Sequence, residues 1–445
     1  MSSNSARRKI GAISIGNLGE IYDFTVFGFS VPFIAAHFFP SGSSTAAILS
    51  TFAVYAVAFV ARPVGGIVFG YLMDRIGRVR VLSITIWLMA LGTAAIGALP
   101  TYQQIGIAAP ILLVLCRFAQ GLAMGGEFTG SMIYIMESAP KGKRGSWVGI
   151  AFTFATLPLF LVTVILLGFQ TITGREIYAD WGWRIPFLIG GLIGIVGVQM
   201  RKNLEDPEEY KQAVRNAEFN DALRSVSRSA RKSMLYVAML MPVQAITAYL
   251  LLGFMYTFLV KQVGLDSKTA LLANGAGIFV YSALGSVSGA LSDRFGRKAL
   301  LSAGSLWIAL FAYLSIWLAA NGSLFQVVLG QVALGIGIGL YGATCTVTST
   351  ELFPTHSRAT SHAIAYQITV AILGGTTPLV CAWLVSALHS PLAPGWYVTG
   401  FAVLNFLLIQ FLPETKDVDL HSSVEEPGAG EPTQILAESG RTGNA

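Results

Sequence analysis

The chain is 445 residues long, 54% apolar and only 12% charged, with 29 Lys and Arg against 23 Asp and Glu for a net charge of +6. Soluble proteins carry about twice that share of charge, so these side chains cannot cover the surface of the roughly three soluble domains the length would suggest. Mean hydropathy is +0.64, and the 48 glycines suit helices packed closely in lipid. The basic residues punctuate apolar runs instead of forming one patch, which excludes a nucleic-acid footprint.

In chain order, twelve apolar runs are long enough for a bilayer core of about 30 Å. They cover 10–36, 45–73, 81–99, 109–136, 146–170 and 185–200, then 233–260, 269–292, 299–320, 324–350, 361–388 and 396–412. They predict an all-α integral membrane protein: one six-helix bundle over 1–200, a charged cytoplasmic linker over 201–232, and a second bundle over 233–412. The tail over 413–445, rich in Glu, Gly, Pro and Ser, is expected to be cytoplasmic and disordered. The short basic N-terminus lacks a small-residue cleavage site, so no removable signal peptide is expected. Cys116, Cys345 and Cys381 all fall inside apolar runs, so no disulfide framework is indicated.

Lys and Arg divide unevenly between alternate connections. Twenty-three lie on the side of the termini and four on the other, while Arg62 and Arg117 lie inside predicted spans. The positive-inside rule then places both termini in the cytoplasm.

An internal repeat supports six plus six. In GYLMDRIGR, Gly70, Asp74, Arg75, Gly77 and Arg78 map onto Gly289, Asp293, Arg294, Gly296 and Arg297 of GALSDRFGR, each shifted by 219. Glu137, Pro140 and Arg144 map onto Glu351, Pro354 and Arg358, each shifted by 214. Parallel repeats of this kind place a substrate site between the halves near the midplane.

The Gly-x-x-x-Asp-Arg-x-Gly-Arg loops after helices 2 and 8 resemble the signature of the major facilitator superfamily. Glycine permits the tight turn, the Asp can accept from backbone N–H groups at a neighbouring helix start, and the Arg can pair with acids on the facing half. These loop residues, Gly289 apart, are expected to govern gating; the alternative is that their basic residues serve topology alone. GNLGEIYDFTVFG (16–28), ARPVGG (61–66), RFAQGLAMGGE (117–127), WGWRIPF (181–187) and ELFPTHSRA (351–359) are similar to the metabolite:proton symporter family. That resemblance spans helices 1 to 11 and implies carriage of substrates such as proline and betaine, citrate, 2-oxoglutarate or shikimate. Two departures stand out: Ile21 replaces an aromatic, and helix 5 lacks the glycines expected in SWVGIAFTFATLPLF. The short tail also lacks the heptads of a coiled-coil extension.

Glu20, Asp23, Glu127, Arg62 and Arg117 are the charges well inside spans, all in the first half. At 1.5 Å per residue, Glu20 lies about 15 Å into helix 1 and Arg117 about 12 Å into helix 4 from the opposite side, so their depths match. Isolated charges there cost several kcal/mol and demand a partner or a wet cavity. Asp23, Glu20, Arg117 and Glu127 are therefore candidates for proton coupling, with a permanent structural ion pair as the alternative. Arg62, beside Pro63, is expected to be structural.

Asn17, Tyr22, Phe27, Gln120, Gln244, Tyr341, Thr344 and Tyr366 are the candidate substrate contacts. On helix 10, Tyr341, Thr344, Cys345 and Thr348 share a face; His362, Tyr366 and Thr369 do so on helix 11, and Gln244 and Thr247 on helix 7. Such uncharged stripes either line a cavity or hydrogen-bond between helices. No phosphate-binding loop, metal-spaced His/Cys cluster or nucleophile elbow is present in the sequence. The expectation is a monomeric inner-membrane secondary transporter, not an enzyme. It would take up a small polar metabolite, an organic acid or a zwitterion, with protons and with no metal or other cofactor. An exporter or exchanger on the same fold, or a non-transporting nutrient sensor, are the rival readings.

Overall fold

The computed structural model describes residues 22–40, 43–76, 78–125, 127–201, 228–353 and 358–418. The described residues are helical, and no strand occurs among them. The principal helices are α1 (22–38), α2 (Ser44–Ile76), α3 (Arg78–Ala98), α4 (Ala108–Ala123, resuming as Glu127–Ser138), α5 (Arg144–Thr173) and α6 (Ile185–Arg201). The second set is α7 (Arg228–Tyr249, continuing to Lys261), α8 (Ser267–Phe295), α9 (Arg297–Asn321), α10 (Leu324–Glu351), α11 (Arg358–Thr369, resuming as Thr377–Ala387) and α12 (Ala393–Ile409). Seven of them, α2, α5 and α7 to α11, are individually long and apolar enough to cross a membrane, and α3, α4, α6 and α12 hold shorter apolar helices. Leu91, Ile172, Leu310 and Phe411 are among many large apolar side chains left on the outside, a surface that lipid solvates.

Local chemistry fixes several helix ends. Asp266 caps α8, accepting from the backbone N–H groups of Lys268 and Thr269 at 3.1 Å each. Ser323 and Gln326 form a capping box at the start of α10. In the WGWRIPF segment Trp183 is fully buried, and Arg184 donates to the carbonyls of Gly97 and Leu99 at 2.9 and 2.5 Å. A cation thereby closes the C-terminal end of α3.

Three helices depart from regular geometry. α4 is interrupted at Met124 and Gly125, and α7 and α11 each contain a π turn, Leu250–Phe254 and Val370–Gly374. Single π turns recur at functional sites because the extra residue re-aims the side chains around it. Both meet the first half: a Cβ on Gly253 would lie 2.8 Å from Pro378 and 3.3 Å from the Tyr55 hydroxyl, and one on Gly375 would strike the Phe59 ring.

Small residues set the tightest crossings. Gly121 packs on the Ala58 backbone, Gly65 on that of Leu122, and Gly335 on that of Gly277. Gly145 and Gly149 of α5 lie against Gly289 and Gly285 of α8. Helix 5 therefore does carry packing glycines, Gly145 and Gly149, both in its first two turns. Gly28 of α1 sits on the carbonyl of Leu252, so a Cβ there would be 2.9 Å from that oxygen.

A candidate coupling site between α1 and α4

Arg117 and Asp23 meet at 2.7 Å with 0% and 1% of their side chains exposed. Gln120, one turn beyond Arg117, donates to Asp23 Oδ1 at 2.5 Å, and Thr93 of α3 donates to the same oxygen at 2.8 Å. Asp23 thus takes bonds from two helices besides its own, which is what a carboxylate in hydrocarbon requires. The guanidinium also lies 4.7 Å from the Phe24 ring centroid, 4.3 Å from Phe27 and 5.5 Å from Tyr55. Arg62 of α2 lies 4.5 and 4.6 Å from the centroids of Phe24 and Phe59. Phe59 meets Tyr249 of α7 edge to face at 4.8 Å, which carries this aromatic group across to the second half.

The other expected site residues fall as follows. Asn17 and Glu20 lie outside the described residues, as does Gly77, and nothing is described of the side chains of Asp74, Arg75, Arg78 and Glu127 or of the surroundings of Gly70. Tyr22 is buried and donates from its hydroxyl to Pro186 of α6 at 2.7 Å. Phe27 packs on Arg117, and Gln120 belongs to the ion-pair network. Tyr341 donates to Leu240 and Asn405 at 2.8 and 3.0 Å, and Thr344 meets Ser288 at 2.8 Å. Both therefore bond between helices. Gln244 is half-buried with its Oε1 unmatched, and Tyr366 stacks on His362 at 5.8 Å.

The loop end of α8 forms a second cluster. Asp293 accepts from the backbone N–H groups of Gly145 and Ser146 at 2.8 and 2.7 Å, from the Ser146 hydroxyl, and from Arg297 at 2.8 Å. Those N–H groups open α5, so a carboxylate of the second half closes a helix start in the first. Arg297 also donates to both oxygens of Glu351 at 3.1 Å, and Arg144 lies 3.9 Å from Glu351. Gly296 turns the chain at φ +96°, where a side chain would be strained. Arg294 is exposed, its guanidinium 5.2 Å from the Phe295 ring centroid.

The tail is a correction. Residues 413–418 are ordered: Glu414 accepts from the N–H groups of Arg297 and Lys298, and Thr415 donates to Glu351 at 2.8 Å. Arg144 reaches the Val418 carbonyl at 2.9 Å. Composition alone missed this because Pro413–Val418 reads as polar chain and its partners lie far away in sequence. The residues from 419 onward lie outside those described. Among the described residues, no three His, Cys, Asp or Glu side chains converge as metal ligands would.

Among the described residues, twelve principal helices, a loop of the second half that closes on the start of α5, and a fully buried ion pair behind an apolar exterior suit a membrane carrier. The chain belongs to the Major Facilitator Superfamily, whose pattern matches residues 13–285 and 240–438. Two relatives are similar over nearly its whole length. One is the glycine betaine/proline/ectoine/pipecolic acid transporter OusA of Dickeya dadantii (strain 3937), 33% identical over 427 residues that cover 93% of this chain and 84% of the relative. The other is the proline/betaine transporter of Salmonella typhimurium, 33% identical over 450 residues covering 97% and 88%. The solved structure of XylE, described as a proton:xylose symporter, is similar with a TM-score of 0.73 over 95% of this chain and 98% of its own, at 20% identity, a likeness of fold. The protein is a multi-pass membrane transporter of a family whose members are not enzymes.

Proposed function

We propose that the protein takes up a compact zwitterion of the proline or betaine type together with protons, across the bacterial inner membrane, and acts as a monomer. The observation that carries the reading is the buried pair of Asp23 and Arg117 beside the interface between the halves. Protonating Asp23 neutralises one partner, weakens the bond from α1 to α4 and changes the balance between closed and open arrangements. Among the described residues, the charged or titratable groups near Asp23 are Arg117 and Cys116 on α4, Tyr55 on α2 and Tyr22 on α1, with Arg62 acting on Arg117. Aromatic rings of both halves give a cationic ammonium its wall, and the relatives' substrates supply the class. Asp293 on the start of α5, with Arg297, Glu351 and Arg144, would hold one end of the carrier shut between cycles. The matching loop at Gly70, Asp74, Arg75, Gly77 and Arg78 would act in the same way.

In proteoliposomes an inward pH gradient should drive accumulation of radiolabelled glycine betaine or proline, and Asp23→Asn should abolish accumulation while exchange persists. Accumulation unaffected by Asp23→Asn would remove Asp23 as the obligatory proton carrier and leave Glu20 and Glu127. Binding without counterflow would favour the sensor, and outward flux under the same gradient the exporter. Orientation is tested separately: a cysteine at exposed Ser323 should react with an impermeant reagent added outside intact cells, and one at exposed Lys141 should not. The opposite pattern inverts the topology.

A further inference from the structure

Arg117 uses one of its three nitrogens. Nη1 donates to Asp23 Oδ2 at 2.7 Å and to Gln120 Oε1 at 3.0 Å, whereas Nε and Nη2 are buried with no acceptor. The residue is 0% exposed, so bulk water does not supply one. Buried guanidinium donors are normally matched, and an exception calls for a physical reason. The two unmatched nitrogens form one edge of the planar fork, the edge that receives both oxygens of a carboxylate in parallel bonds. Phe24, Phe27 and Tyr55 surround the group with ring surface that offers no competing acceptor.

We infer that the Nε/Nη2 edge of Arg117 is the carboxylate subsite for the transported solute. The cationic end of the same molecule then rests on Tyr55 and Phe59, whose rings are 5.4 Å apart, close to Tyr249 of the second half. In glycine betaine the carboxylate carbon and the ammonium nitrogen are two bonds apart, which suits a ring 5.5 Å from the guanidinium carbon. The inference rests on the transport reading above and adds a coupling rule. Asp23 and the solute carboxylate share one cation, so neutralising Asp23 leaves more of its field for the solute.

The test is equilibrium binding of radiolabelled glycine betaine and L-proline to the full-length protein in lipid nanodiscs, with choline as a carboxylate-free probe. Asp23→Asn should bind both carboxylates at least as tightly as the wild type. Asp23→Asn with Arg117→Gln should bind them at least tenfold more weakly, with choline affinity unchanged and a thermal midpoint no lower than that of the single variant. If that double variant is not recovered folded, Asp23→Asn with Arg117→Lys decides, since it keeps the charge and loses the fork; a severalfold loss is expected. Equal carboxylate affinity in single and double variants overturns the subsite and leaves the transport reading intact. A wild type that binds neither carboxylate overturns both.

Discussion

Arg117 and Gln331 are 214 residues apart, the offset that carries Glu137 onto Glu351, while Tyr55 and Asn274 are 219 apart, the offset of the repeated loops. In the first half Arg117 of α4 lies 5.5 Å from the Tyr55 ring centroid on α2 and pairs with Asp23. In the second half Gln331 of α10 accepts from Asn274 of α8 at 3.2 Å, and no charge is involved. The crossing beneath is the same. Gly121 on Ala58 repeats as Gly335 on Gly277, again at offsets of 214 and 219. Small residues therefore hold one helix crossing in both halves, and only the polar group seated on it differs. At this crossing geometry is shared and charge is not, and both π turns lie in the second half.

The largest expected effect comes from making the first half resemble the second at one position only. Arg117→Gln leaves Asp23 buried without its cation, a loss of about 3–5 kcal/mol. The thermal midpoint in detergent should fall sharply, and adding Asp23→Asn should recover most of it. A single variant as stable as the wild type would mean that Asp23 is neutral in the resting protein.

A smaller effect tests the shared crossing. Gly121→Leu and Gly335→Leu each drive a side chain into the backbone of the facing helix, and overpacking of this kind costs about 1–3 kcal/mol. The two should destabilise alike in chemical denaturation. A large difference between them would break the equivalence of the halves.

The smallest effect distinguishes neutral from charged. Replacing Asn274 and Gln331 together by Leu removes donor and acceptor at once, which is close to neutral, within about 1 kcal/mol. Uptake driven by a pH gradient should survive that change and vanish when Asp23 and Arg117 are both replaced by Leu. Loss of uptake in the first double variant, with stability retained, would give the neutral pair a functional part and weaken the contrast.

The amino-acid sequence by itself determined the membrane class, the twelve apolar runs, the repeat and the restriction of charges well inside the apolar runs to the first half. Hydropathy and spacing are properties of the chain alone, and the fixed rise of a helix gives the expectation of matched depths on helices 1 and 4 without knowledge of what those residues touch. It also identified the loop Asp as an acceptor for a neighbouring helix start, because that chemistry is short-ranged and uses one carboxylate. Which helix start, that of α5, was settled only by tertiary contact. So were the break in α4 and the π turns of α7 and α11, of which the π turns pack against Gly28, Tyr55 and Phe59 of the first half. The same holds for Tyr22, Tyr341 and Thr344: a 3.6-residue period shows which residues share a face, but not whether that face meets a cavity or another helix. The two unmatched nitrogens of Arg117 are legible only in three dimensions, since a guanidinium has three nitrogens and the sequence does not say how many of them the fold will use.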